Sequence, residues 1–150
     1  MGNEKKFSSD MNLKIKKALG EALEQSAMLV LAKAKEKAPF GKTGLLGNAI
    51  FMNVDKENLK ASVYTNVSYA PCVEYMTKPH IIRPKNKKAL AWGKNIGRLP
   101  NGDNMKEVVL RKGQEVHHPG TQAQPYMRPA LDTSTEEINA IFAKHINNIS

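Results

Sequence analysis

The sequence has a single cysteine, few aromatic residues and no long apolar run. Cys72 is the one cysteine among 150 residues, so no internal disulfide can form and folding does not require an oxidising compartment. No stretch approaches the roughly 20 apolar residues of a membrane-spanning helix, and polar residues 1–10 lack the apolar core of a signal peptide. We therefore expect a soluble, intracellular protein that does not enter a membrane.

Acidic residues are also scarce relative to basic ones. The chain has 14 Asp and Glu against 23 Lys and Arg, a formal net charge of +9. This excess is typical of proteins with a negatively charged partner, and a solvated lysine-rich surface explains most individual lysines equally well. The length and an apolar fraction of 41% suit one domain over residues 1–150 with one modest core.

Hydrophobic spacing predicts a long helix at each end of the chain. After a polar segment, residues 1–9, that we expect to be disordered, Asp10 is a candidate N-cap for a helix to about Lys37, which Pro39 ends. The second helix spans about residues 129–147 and begins at Pro129. Apolar residues recur at helical spacing in both segments.

The middle of the chain has the composition of antiparallel strands. Residues 50–54 and 61–67 predict a hairpin, residues 80–93 hold two short apolar pieces, and two strand-like pieces follow within 105–116. Residues 69–77 are expected to form a buried segment. The sequence therefore predicts an α+β fold, with two long terminal helices on one face of a mainly antiparallel sheet and a long basic loop over residues 78–104.

No motif indicates catalysis, a cofactor or a metal. The turn at 41–43 lacks the earlier glycine of a phosphate-binding loop, since that position is Glu36, and the helix precedes the turn instead of following it. His117 and His118 would point to opposite faces of a strand, so they would rarely bind one ion. Cys72 follows a proline in an apolar stretch, where a thiol is usually a small core residue.

The segment 118–131 contains three prolines and a glycine in fourteen residues and leads directly into the last helix. Proline fixes φ and pushes the preceding residue toward an extended conformation, so this is a stiff connector that holds Tyr126, Met127 and Arg128 at its exit. Glu74 lies among apolar and aromatic residues. If buried it needs a partner, and Arg128 or a lysine could supply one; the alternative is an exposed glutamate.

Three blocks, residues 38–50, 69–77 and 118–131, in this order and between two helices, resemble the tail-completion (head–tail joining) family of long-tailed bacteriophages and prophages. That family has an Ala-Pro…Thr-Gly-Leu turn after the first helix, a Tyr-Ala…Val-Glu-aromatic-Gly-Thr segment, and a Gln-Pro-aromatic-x-x-Pro-Ala entry to the last helix. The candidate structural or assembly residues within these blocks are Thr43, Gly44, Tyr69, Ala70, Glu74, Thr77, His118, Pro119, Gly120, Thr121, Gln124, Pro125, Tyr126, Arg128 and Pro129.

The resemblance implies a structural role in virion assembly and no enzymatic activity. Its expected partners are the tail tube, tail terminator and head-completion proteins of the phage, with self-association into a ring around the DNA channel and non-specific contact with the DNA. It also implies that the free protein is monomeric and that assembly takes place in the host bacterial cytoplasm. The final location would be the virion neck or tail. The alternative is a small basic nucleic-acid-binding protein of a mobile element. The chain has Met76 where the family usually has glycine, which argues against a turn with positive φ there.

Overall fold

A computed structural model of the protein describes residues 2–41, 43–86, 88–92 and 108–149. The elements are helices and antiparallel strand pairs, which confirms the predicted α+β class with long N- and C-terminal helices. The chain divides into two compact units, one formed by Met1–Tyr75 with Ala123–Ser150 and the other by Met76–Gln122. The prediction of one domain over residues 1–150 stays a prediction.

The first unit contains five helices and one hairpin within the described residues. In chain order they are α1 (Gly2–Lys37), α2 (Leu45–Asn48), β1 (Ile50–Asp55), β2 (Lys60–Thr65), α3 (Ala70–Tyr75), α4 (Met127–Asp132) and α5 (Thr135–Asn147). The first helix ends at Lys37 as predicted but begins at Gly2, eight residues before Asp10, where the sequence predicted a disordered segment. Residues 2–9 include no proline, so nothing in them forces the helix to end.

The C-terminal helix differs from the prediction at both its start and its middle. It begins at Met127 instead of Pro129, and it is interrupted between Asp132 and Thr135. The Thr133 hydroxyl donates to the Pro129 carbonyl at 2.8 Å, and the Ser134 hydroxyl donates to the Ala130 carbonyl at 2.6 Å. Such side-chain bonds to the preceding turn compete with the helical ladder, so helical spacing alone could not reveal the break.

The predicted hairpin is present, with β1 and β2 in register from Ile50 opposite Thr65 to Asp55 opposite Lys60. Asp55 organises its turn by accepting hydrogen bonds from the N–H groups of Glu57 and Asn58, each at 3.0 Å. Its other oxygen accepts from the Asn58 side-chain amide at 2.7 Å, and these Asn58 bonds lower the pKa of Asp55. Leu59 completes the turn with φ of +52°.

The core of the first unit lies where α1, the hairpin and the C-terminal helices meet. Both strands and both C-terminal helices pack against α1. The buried residues of this cluster are Ala34, Leu46, Ile50, Ala70, Tyr126 and Ala130. Tyr126 and Ile50 are its largest fully buried side chains, each 1% exposed. Tyr126, at the exit of the predicted connector, is therefore part of this core.

The second unit contains two short strand pairs. β3 (His80–Ile82) pairs with β6 (Val116–His118), and β4 (Ala89–Trp92) pairs with β5 (Val108–Arg111), both antiparallel. With β1–β2 this gives three two-stranded sheets in the described part of the chain, where we expected one sheet. The β4–β5 pair lies between β3 and β6 in sequence, so the two pairings are nested. Of the predicted basic loop, residues 78–104, positions 87 and 93–104 lie outside the described residues.

Candidate functional site: the Glu74 junction and an adjacent groove

The segment 69–77 contains a short helix, α3, which sequence spacing did not predict. Ala70 and Glu74 are four residues apart on one side of this helix, and both are buried. Tyr75 and Cys72 face solvent, so the prediction that Cys72 is a core residue was wrong. The buried side of α3 is therefore occupied by one small residue and one carboxylate.

The Glu74 carboxylate holds the start of α4. Its Oε2 accepts hydrogen bonds from the backbone N–H groups of Tyr126 at 2.8 Å and Met127 at 3.0 Å, and its Oε1 accepts one from Arg128 at 3.0 Å. Tyr126 is the N-cap residue of α4, and it makes no side-chain cap. A carboxylate from a distant part of the chain thus satisfies donors that every helix start leaves without an intrahelical partner.

Pro129 completes this arrangement because it has no N–H group to satisfy. It occupies the third position of α4, where its fixed φ suits the helix and its missing donor costs nothing. The N-cap and first two helical residues donate to Glu74, and the next position has no donor. The spacing Tyr126-x-x-Pro129 therefore leaves three N–H groups before the proline, and the Glu74 carboxylate accepts hydrogen bonds from all three.

The predicted pairing of Glu74 with Arg128 was wrong about the group of Arg128 that makes the contact. Arg128 does meet Glu74, but through its backbone N–H, while its side chain is 78% exposed with Nε 3.9 Å from Asp132 Oδ2. The backbone prevails because convergent N–H groups at a helix start are fixed in place, whereas an ion pair would have to order a long side chain. We name Val73, Glu74, Gln124, Tyr126, Met127 and Arg128 the Glu74 junction.

Val73 and Gln124 extend the junction by one backbone bond. The Gln124 N–H donates to the Val73 carbonyl at 2.8 Å, so the connector pairs with α3 just before Pro125 and Tyr126. Burial, with a smaller contribution from the nearby Glu74 charge, raises the pKa of the Tyr126 hydroxyl. The junction therefore fixes both the path of the connector and the first turn of α4.

The junction also shifts the ionisation of Glu74. Burial of the carboxylate raises its pKa, and the backbone hydrogen bonds from Tyr126, Arg128 and Met127, with the Arg128 charge, outweigh burial, so the pKa lies below its ordinary value. The folded state thus favours the ionised form. Both carboxylate oxygens are engaged by backbone donors, which is a structural use of the charge.

We expect the first unit to lose stability in acid through Glu74. Because the folded pKa lies below the unfolded value of about 4.3, the stabilisation is fully present above that value and is lost as pH falls through the folded pKa. Urea unfolding followed by helical circular dichroism from pH 6 downward measures this slope. Glu74→Gln should flatten it, and an unchanged slope in that variant would show that Glu74 does not contribute.

The turn between α1 and α2 holds two other predicted residues. Gly44 has φ of +60° and donates its N–H to the Gly41 carbonyl at 3.1 Å, while the Leu45 N–H donates to Thr43 Oγ1 at 3.4 Å. A Cβ at Gly44 would lie 3.1 Å from Phe40 Cε2. The turn thus presents the Phe40 ring, which is 90% exposed and was not singled out from the sequence.

An open apolar groove of about 560 Å³ adjoins the Glu74 junction within the first unit. Its wall comes from α1, β2, α3, α4 and α5. The residues that line it are Leu23, Ser26, Ala27, Val30, Ala61, Ser62, Val63, Glu74, Tyr75, Met127, Arg128, Leu131, Ile138 and Phe142. The α5 face that contributes to it has no fully buried residue, so the predicted apolar stripe of this helix is only partly covered.

In the second unit, Thr77 and Thr121 form an isolated antiparallel bridge. Each N–H donates to the other residue's carbonyl at 3.2 Å, and the two hydroxyls lie 2.9 Å apart. Gly120, with φ of +87°, leaves no room for a side chain, because a Cβ there would lie 2.1 Å from the Thr77 carbonyl oxygen. The predicted Thr77, Gly120 and Thr121 are thus brought together by a close backbone approach.

His118 supports the turn that leads to this bridge. Its Nδ1 accepts a hydrogen bond from the Gly120 N–H at 3.0 Å, across the exposed Pro119. In register with it, the His80 ring lies 4.9 Å away between centroids, while His117 faces solvent and lies 3.4 Å from Glu115. As expected, adjacent His117 and His118 do not converge on one point.

Met76 adopts a backbone conformation with positive φ, which its Cβ disfavours. Its φ is +79°, in the left-handed region, although the sequence predicted no such turn without glycine. The resemblance to the family's glycine position was therefore the correct signal, and the chain accepts the strain of a Cβ there. The presence of another residue in place of glycine does not by itself exclude a positive φ at that position.

Replacing Met76 by glycine should stabilise the protein. Met76 is 52% exposed, so little packing is lost, and removing the Cβ relieves left-handed strain by about 1 kcal/mol. Urea denaturation compares the variant with the parent. Met76→Ala retains the Cβ at the same φ and is the control, so an equal gain from alanine would assign the effect to the side chain instead of the backbone.

Across residues 2–41, 43–86, 88–92 and 108–149, no group of three or more His, Cys, Asp and Glu side chains is placed to hold a metal ion. No helix within these ranges combines the length and apolar composition that crossing a membrane requires.

Comparison with protein families places residues 4–75 among the structural components of bacteriophage tails. The matching model is HK97-gp10_like, described as "Bacteriophage HK97-gp10, putative tail-component", and this segment of the chain is similar to that family. The match spans α1 through α3, so it includes the Phe40 turn and Glu74, and it confirms the predicted phage-tail resemblance. Searches of curated proteins and of solved structures gave no match.

Proposed function

We propose that the protein completes or joins the tail at the head–tail interface of a phage or prophage virion, as a ring around the DNA channel. The observation that supports this most strongly is the tail-component match over residues 4–75. The third block, residues 118–131, lies outside that match, and its Gln-Pro-Tyr segment docks on the matched Glu74. Residues 123–131 of that block lie in the same compact unit as residues 4–75, and both carry motifs that resemble the joining family.

The proposed role is structural and not enzymatic. The one buried carboxylate among the described residues, Glu74, accepts hydrogen bonds from backbone N–H groups on both oxygens, which supports a structural role for it. ATP titration and a nuclease assay with Mg²⁺ or Mn²⁺ should therefore give no signal. Activity that Lys42→Ala or His118→Ala abolishes would contradict this part of the proposal.

Its partners are other neck and tail proteins, and it also contacts the DNA in the channel. The formal charge of +9 favours a passing polyanion, and such a contact would depend on ionic strength and not on sequence. Assembly would take place in the host cytoplasm, followed by incorporation into the virion neck.

Deleting the gene from the phage and imaging the particles tests the role. We expect DNA-filled heads and separate tails, with joining restored when the wild-type gene is supplied in trans. Supplying Met76→Gly should also restore joining, because this change alters only a strained turn. Joined, infectious particles without the protein would contradict the proposal.

A further inference from the structure

We propose that Phe40 of one copy inserts into the groove of a second copy of the chain. This inference rests on the proposed ring and specifies which surfaces would form it. Both surfaces belong to the first unit and both lie among the described residues. The first surface has an exposed aromatic ring and the second has an open apolar groove, and a contact between copies would bury both.

The Phe40 turn presents an aromatic ring to solvent just after the end of α1. Phe40 is 90% exposed, the most exposed of the large apolar side chains in the described residues. Pro39 precedes it, and the Gly44 N–H closes the turn onto the Gly41 carbonyl at 3.1 Å. An aromatic residue held on a stiff turn loses little conformational freedom on binding, which favours its use as an anchor.

The groove offers the complementary surface. Its wall is mainly apolar, from Leu23, Ala27, Val30, Leu131 and Phe142, and its volume of about 560 Å³ lies within the range of pockets that bind an organic group. Leu131 is 53% exposed at this wall. Burying Phe40 there would cover apolar area on both copies.

The charges around the two surfaces are also complementary. Lys35 and Lys37 flank Glu36 in the last turn of α1, just before Phe40, and all three are exposed, so this turn carries one net positive charge. At the groove Arg128 lies near Asp132 and offsets its charge, while the exposed Glu136 at the start of α5 has no ion pair among the described residues. A copy that brings its Phe40 turn to the groove brings positive charge toward negative charge, which favours a second copy as the occupant.

The contact would be head-to-tail, because the turn and the groove are different surfaces. Each copy then has one donor surface and one acceptor surface, and repetition closes a ring if the rotation permits. This predicts a specific behaviour for mixtures. A copy without the aromatic ring keeps its groove, and a copy with a damaged groove keeps its aromatic ring.

Sedimentation velocity over a concentration series measures the contact with four variants. Phe40→Ala and Leu131→Ser should each weaken self-association about tenfold or more. Phe51→Ala changes another exposed phenylalanine, and Ile146→Ser changes another half-exposed apolar residue outside the groove, so neither should alter association. Circular dichroism checks that all four fold, and equal weakening by the controls would overturn the proposal.

Mixing Phe40→Ala with Leu131→Ser provides the sharper test. The mixture should form dimers and nothing larger, because only one intact contact exists per pair. In a Cys72→Ser background that keeps Phe40 and Leu131, Gly41→Cys beside the ring and Asn139→Cys beside the groove residue Ile138 should cross-link with a bismaleimide only when mixed. No product in the mixture, or products from either variant alone, would overturn the proposal.

The same variants separate this inference from the proposed function. If Phe40→Ala restores joined particles to the deletion phage and associates normally, the docking contact is wrong while the joining role stands. If the deletion phage itself makes joined particles, the joining role is wrong whatever the variants do in solution.

Discussion

Glu74→Ala is expected to lower the free energy of unfolding of the first unit by about 3 kcal/mol. The substitution leaves three backbone N–H groups, at Tyr126, Met127 and Arg128, without the acceptor they have in the folded state. It also removes negative charge from the start of α4, where the helix dipole favours it. Urea unfolding with helical circular dichroism gives the change. Hydrogen exchange of residues 126–128 should accelerate before that of α1.

Glu74→Gln is the matched variant, since it keeps the size of the side chain but offers one neutral acceptor oxygen. We expect a smaller loss of stability than for alanine. Arg128→Ala is a second control, because the Arg128 side chain is exposed and only its backbone meets Glu74. A loss from Arg128→Ala equal to that from Glu74→Ala would mean that the ion pair, and not the backbone, stabilises the junction.

Gly120→Ala should disrupt the second unit, at a cost of about 3 kcal/mol or more. A Cβ at this position would lie 2.1 Å from the Thr77 carbonyl oxygen, which is backbone and cannot rotate away. Relief of this overlap requires that Thr77 and Thr121 separate, with loss of their paired hydrogen bonds. Hydrogen exchange at the Thr77 and Thr121 amides measures the effect directly.

Gly113→Ala separates overlap from backbone strain. Gly113 has φ of +93°, close to the +87° of Gly120, yet a Cβ there would meet nothing within 4 Å. This variant should therefore lose only the strain contribution, about 1 kcal/mol, and leave the Thr77–Thr121 amides protected. Equal effects of the two substitutions would contradict the close approach at Gly120.

Local patterns in the sequence predicted the elements well. The end of α1 at Lys37 followed from Pro39, and the β1–β2 hairpin followed from two β-type segments around a polar turn. The strand-like pieces predicted within 105–116 correspond to β5 and the start of β6, and the two apolar pieces within 80–93 form β3 and β4. These features depend on residues near one another in the chain, which is what periodicity and turn chemistry report.

Features that depend on distant residues were harder to predict. The sequence indicated that Glu74 needs a partner, but side-chain chemistry suggested a guanidinium, and only the fold shows the α4 backbone beside it. The positive φ of Met76 depends on the path of the chain and not on the residue's own preference. The Phe40 turn and the groove were not predicted, because exposure and concavity are properties of the folded unit.

The most direct test of a structural role at the head–tail interface is to locate the protein in purified particles. An epitope tag on the exposed hairpin turn, at Glu57, can be visualised with gold-labelled antibody by electron microscopy. We predict label only at the junction between head and tail, in particles that remain infectious. Label at the distal tail tip, or virions that lack the protein, would contradict the proposed role.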